Sequence, residues 1–193
     1  MPEREYILFC DESDAVGDYF SNFYGGVLVG GSKVVEVTAR INAVKAAHHL
    51  HGEIKWQKVT TNYLEKYKAV MDALFAELKA GSVKLRIMFT QNAHEPTELS
   101  DEQRRLSYWL LYYQFVKHAF GFVAMPRGDV STHLRVYFDQ FPRTGEDAAK
   151  FKGFIEASKN PSNSKRPEFA FADKTLPRST HTIMRCCNAL TWC

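Results

Sequence analysis

Tyr6-Ile-Leu-Phe-Cys-Asp-Glu-Ser13 reads as a buried strand that delivers two carboxylates from its C-terminal end. Ile7, Leu8 and Phe9 form an unbroken apolar run with Cys10 behind them, which suits a central strand covered on both faces. Asp11 and Glu12 then stand where the strand leaves the core. Acids at that place are either solvated and idle or held to bind a cation, and a hard divalent metal is the usual reason to gather them at one end of a sheet.

Working outward, Asp14 to Ser21 is a polar turn and Phe23 to Val29 is aromatic and β-branched enough for a second strand. Gly25 and Gly26 inside it predict a bulge or a close backbone approach. Gly30-Gly31-Ser32 is a hairpin signal, and Val34 to Val37 follows as a third strand, giving an antiparallel three-strand meander. Ala39 to His51 predicts a modest helix. Thr61 to Ala80 repeats Leu64, Tyr67, Met71, Leu74, Phe75 and Leu78 at helical spacing, and Gly81 closes that helix.

Val83 to Phe89 alternates like a strand, and Ser100-Asp-Glu-Gln103 is a capping box for one long helix to about Phe120, with Trp109, Tyr113, Val116 and Phe120 in line. Leu134 to Phe138 is a late strand that again ends in an acid, Asp139. Glu146 to Ser158 predicts a last helix, and 160–167 an exposed linker. An antiparallel meander followed by parallel crossovers through helices makes a mixed α/β sheet with helices on its faces, the ribonuclease H-like arrangement. The domain is expected over 1–168, with 169–193 an atypical tail.

Composition narrows the classes. With 193 residues, 45% of them hydrophobic, the chain can bury one sizeable core, and no run approaches the ~18 apolar residues of a spanning helix. No basic n-region with an apolar stretch opens the chain, so a cytoplasmic protein is expected. The net charge of +3 names no partner, although Arg143 to Arg185 carries nine Lys/Arg against five Asp/Glu. That stretch either faces a polyanion or is solvated surface. Cysteines 10, 186, 187 and 193 have neither zinc nor disulfide-framework spacing, and Cys10 reads as a small core residue.

Asp11 and Asp139 each end a strand. If those strands are neighbours, at about 4.8 Å, their carboxylates repel unless a cation lies between them. Two divalent ions about 4 Å apart, held by such acids, would align a water and a leaving oxygen for in-line attack on a phosphodiester. Glu12 and Glu53 are the further ligands on offer, with Glu53 favoured by its polar loop unless it is a surface acid paired with Lys55. Lys55 can steady a phosphate. Trp56 can stack on a base or anchor in the core, and His48, His49 and His51 read as a solvated helix end.

The segments FCDES, YGGVLV, GEIKW and VYFDQF together resemble the bacterial domain-of-unknown-function-3800 family, over nearly the whole chain. The resemblance implies a ribonuclease H-like fold, a metal-dependent nuclease, and Asp11, Glu53 and Asp139 as metal ligands with Glu12, Ser13, Lys55 and Trp56 as motif neighbours. Members of that family end on a helix reading roughly Q-x-x-D, whereas no acid follows Asp173 here. Plausible codons for Ser179 to Cys193 read in another frame resemble the missing segment, so a frameshift between about Phe169 and Thr180 is expected; the coding DNA tests it.

The expected activity is therefore a Mg2+- or Mn2+-dependent nuclease acting on RNA or DNA. The alternative is a nucleic-acid- or protein-binding module that kept the fold after losing part of its site. An aspartyl phosphatase using Asp11 would need an acid at position 13, where Ser13 stands.

Overall fold

The computed structural model describes residues 4–52, 54–94, 97–122, 132–138, 153 and 168–171. Strand β1 (Arg4–Val16) is the spine of a five-stranded mixed sheet. β2 (Phe20–Gly30) pairs antiparallel with it, and β3 (Val83–Gln91) pairs antiparallel with β2. On the other side of β1, β4 (Thr132–Phe138) and then β5 (Glu168–Phe171) run parallel, so the order across the sheet is β3-β2-β1-β4-β5. The chain is a mixed α/β protein, and β5 crosses the 168/169 boundary expected from sequence. Among the described residues no helix is long and apolar enough to cross a membrane.

The expected third strand, Val34 to Val37, is instead the start of helix α1 (Val34–Ala47). Its buried positions are Val34, Val37, Thr38, Ile41 and Lys45, the helical spacing, while Val35 is 75% exposed. Three valines in four residues suggested β structure, but the helix formers after them and a 3.6-residue period override that local preference. The third antiparallel strand is β3, reached through α1 and α2 (Leu64–Lys79). α2 buries Tyr67, Val70, Leu74 and Glu77 and closes where Gly81 takes φ +70.

Between α1 and α2 the guanidinium of Arg40 grips Glu77, with Nε 2.5 Å and Nη2 2.8 Å from its two carboxylate oxygens, and also pairs with Glu36. Arg40 holds the Glu77 carboxyl below the usual carboxylate range.

The capping box is present: the Ser100 hydroxyl accepts from the Gln103 amide at 3.2 Å and the Gln103 side chain accepts from the Ser100 amide at 2.9 Å. It starts only a short helix, α3 (Asp101–Arg105). The chain breaks at Leu106 and continues as α4 (Ser107–His118), in place of the single helix expected. Leu106 is 5% exposed and sits in the core, so the break turns an apolar residue inward. α4 buries Trp109, Tyr112, Phe115 and Val116; Tyr113, expected inside, lies at the boundary under the Lys117 ammonium.

Side chains alternate along a strand, so β1 feeds two separate cores. Ile7 and Phe9 join Val27, Val29, Val83 and the inner faces of α1 and α2. Leu8 and Cys10 join Tyr24, Leu28, Leu134, Val136 and the aromatic face of α4. Cys10 is fully buried, as its sequence context predicts, and burial first, then Glu12 and Asp11, push its thiol well above the ordinary range. Gly26 marks the close approach expected of the glycine pair: a Cβ there would lie 2.9 Å from the Phe115 ring and 3.2 Å from Leu8.

The bulge lies just before the glycines, where Ser21 pairs with Thr90 but Tyr24 pairs with Met88. β2 therefore carries one extra residue, and Asn22 takes φ +53. Its side-chain amide donates to the Thr90 hydroxyl at 3.0 Å, which donates to the Ser21 carbonyl at 2.9 Å, so the kink is tied. The expected helix at 146–158 and the linker at 160–167 lie outside the described residues, apart from Gly153.

Candidate functional site

β1 does not end at Cys10. Its ladder with β2 continues through Asp11↔Gly25, Glu12↔Tyr24 and Ser13↔Phe23 before the register shifts. Both acids therefore lie within the strand, and adjacent strand residues face opposite ways. The expectation that Asp11 and Glu12 share one metal cluster is corrected by this geometry, which sends the two side chains to opposite faces of the sheet. Asp11 and Ser13, 7% and 5% exposed, follow Ile7 and Phe9 on the α1/α2 face. Glu12 follows Leu8 and Cys10 on the α4 face.

Two tyrosines hold Glu12 there. The hydroxyl of Tyr108 donates to one carboxylate oxygen at 2.8 Å and that of Tyr112 to the other at 2.7 Å. The two tyrosines stand four residues apart on α4, so they project from one side of the helix, one turn apart. Tyr24, opposite Glu12 in the ladder, lies edge-on to Tyr112 with centroids 4.8 Å apart and tilted against Tyr108 at 6.0 Å. Burial, the largest cause, and then Cys10 and Glu12 raise the Tyr112 hydroxyl well above the ordinary tyrosine range, so it remains a donor at any ordinary pH.

The sequence reading missed these tyrosines. The signal available was parity: Glu12 is in phase with Leu8 and Cys10, and an acid facing an aromatic helix calls for hydroxyl donors at helical spacing.

Glu53 and Asp139 lie outside the described residues, but their chain neighbours are informative. Ile54 is 1% exposed and belongs to the same core as Ile7 and Phe9, so Ile54 itself packs on the Asp11 face of the sheet. Just before it, the buried Lys45 donates to the Gly52 carbonyl at 3.1 Å. Lys55 is exposed, and its carbonyl accepts from the Lys58 amide at 3.0 Å as the 3₁₀ turn Trp56–Lys58 forms.

On the far side, the last described rung of the parallel β1/β4 ladder is Cys10↔Phe138. Each of these residues immediately precedes an aspartate in the chain. Among the described residues no three His, Cys, Asp or Glu side chains gather closely enough to hold a metal. The His49 and His51 rings, at the end of α1, stand 6.3 Å apart and tilted, in keeping with the solvated helix end read from sequence.

Compared with known proteins, the chain matches no protein-family model and no curated protein.

Proposed function

We propose that this chain is a divalent-metal-dependent phosphodiesterase acting on RNA or DNA, with a ribonuclease H-like arrangement and a site akin to that of the domain-of-unknown-function-3800 family. The observation that carries the reading is the position of Asp11. It is a buried carboxylate on the central strand, one step past the Cys10↔Phe138 rung, on the face where Ile54, the residue after Glu53 in the chain, packs into the core. An antiparallel β1-β2-β3 unit with parallel β4 and β5 beside it supports the fold assignment.

Asp11, Glu53 and Asp139 are the residues that would hold Mg2+ or Mn2+, and an all-carboxylate donor set suits a hard divalent cation. Such an ion supplies the positive charge that an in-line displacement at phosphorus requires. Asp11, buried and fixed by its strand, keeps its carboxylate aimed without a reorganisation cost at the moment of reaction. Lys55, exposed on the same segment as Glu53, would bind a phosphate oxygen of the substrate. Glu12, on the opposite face, is no longer proposed as a ligand.

Mn2+-dependent cleavage of labelled single- and double-stranded RNA and DNA tests the reading. Cleavage that disappears in Asp11→Asn is the expected outcome. Intact substrates, bound by wild type and Asp11→Asn with the same salt-dependent affinity, would identify a binding module instead.

A further inference from the structure

We propose that Tyr112, assisted by Tyr108, is a positioning residue for the carboxylate site, tying β1 at Glu12 to the C-terminal end of β4 from the opposite face of the sheet; this rests on the metal-dependent reading above.

The hydroxyl of Tyr112 donates to Glu12, the residue after Asp11, at 2.7 Å. The ring of the same tyrosine packs edge-on against Phe138, the residue before Asp139, with centroids 4.9 Å apart and planes at 81°. One side chain thus touches the central strand and its parallel neighbour at the last described rung between them. Tyr108 takes the second oxygen of Glu12, so the carboxylate accepts from two donors one helical turn apart and has no freedom to swing. Tyr24 backs both rings from β2.

Glu12 and Asp11 share a peptide unit. Clamping Glu12 on one face therefore fixes the backbone dihedrals that aim Asp11 on the other. Supporting residues that orient metal ligands commonly change metal affinity by about 10- to 100-fold when altered.

The test is Mn2+ affinity of the full chain by electron paramagnetic resonance, with cleavage measured as a function of Mn2+ concentration. Tyr108→Phe/Tyr112→Phe keeps both rings and removes both hydroxyls. The expected result is a folded protein, by circular dichroism, whose Mn2+ dissociation constant rises about tenfold. Its cleavage rate should recover at saturating Mn2+. A merely structural pair would lower the unfolding midpoint and leave the Mn2+ dissociation constant unchanged, and that outcome overturns the proposal. Should the double variant not fold, Tyr112→Phe and Tyr108→Phe carry the same measurement singly, each removing one of the two donors to Glu12, with the larger rise in the Mn2+ dissociation constant expected for Tyr112→Phe and no rise in either overturning the proposal. Failure of the underlying reading looks different: wild type itself would then bind Mn2+ no better than Asp11→Asn does.

Discussion

The two faces of β1 are built from different materials. Towards α1 and α2 the core is largely aliphatic, with Ile7, Val27, Val29, Val37, Ile41, Ile54, Val70, Leu74 and Val83 around Phe9. Towards α4 it is largely aromatic: Tyr24, Tyr108, Trp109 and Tyr112 pack in edge-on and tilted pairs, and Phe115 packs edge-on to Phe120. Aliphatic packing is non-directional and tolerates repacking, whereas ring pairs and phenol hydroxyls impose angles. Each face also holds a carboxylate with two donors: Glu77 by the two ends of one guanidinium, Glu12 by two neutral hydroxyls. The buried acid proposed for catalysis sits on the tolerant face, and the clamp that aims it sits on the rigid one.

The largest effect expected from breaking this contrast is at Phe115, fully buried under Gly26. Phe115→Ala should cost about 3–5 kcal/mol in urea unfolding. Phe9→Ala, at an equally buried position whose neighbours are mainly aliphatic apart from the Tyr137 ring stacked on it at 5.7 Å, should fall at the low end of that range. Equal losses would show that the faces do not differ in tolerance.

Next comes Gly26→Ala, whose new methyl must displace the Phe115 ring or Leu8; a loss of about 1–3 kcal/mol is expected. Combining it with Phe115→Leu should recover part of that loss in a double-mutant cycle, and strict additivity would mean that α4 is not seated on this glycine.

A sharper version compares the two adjacent acids. Glu12→Gln, which leaves one hydroxyl facing an amide in place of a charged oxygen, should cost about 1–3 kcal/mol in thermal or urea unfolding. Asp11→Asn should cost less stability than Glu12→Gln while abolishing cleavage. The reverse ordering of stabilities would make Asp11 the structural acid.

The smallest effect concerns pH. Arg40 depresses the Glu77 carboxyl, so the unfolded state binds more protons at this site as pH falls. The stabilisation is full above the ordinary carboxylate pKa and fades as pH drops through the depressed one. The stability difference between wild type and Glu77→Gln should therefore hold in mildly acidic buffer and shrink once the pH falls below the ordinary carboxylate pKa, by urea titrations at successive pH values. A difference that grows on acidification would reverse the assigned sign.

Much of this architecture was legible in the residues. β1, β2, α2, β3 and β4 announce themselves through apolar runs or clear periods, and Ser100 through its capping pattern. The misreadings share one cause: local chemistry was weighed above phase. Val34 to Val37 looks like a strand until Ile41 and Lys45 extend the helical spacing. Polarity begins after Cys10, yet the backbone ladder of β1 with β2 runs on through Ser13 regardless of side-chain type. Tyr112 takes the inward place expected of Tyr113, three residues after Trp109 in place of four, while Trp109, Val116 and Phe120 are buried as their spacing predicts. The opposite facing of Asp11 and Glu12 was readable from alternation alone. Their partners on α4 were not, because a contact about 100 residues away in sequence depends on how helix and sheet dock.

The tied kink at Asn22 separates the hairpin tip from the body of the sheet. Phe20 and Phe23 are three residues apart, a spacing that would send them to opposite sides of a regular strand, yet both rings reach Phe89, at 4.9 Å and 5.7 Å. The extra residue acts as a phase shift, and the tip keeps its own clock. Changes confined to positions 20 to 23 can re-sort which rings meet Phe89 while Val27, Leu28 and Val29 go on beating time with Leu85, Lys84 and Val83.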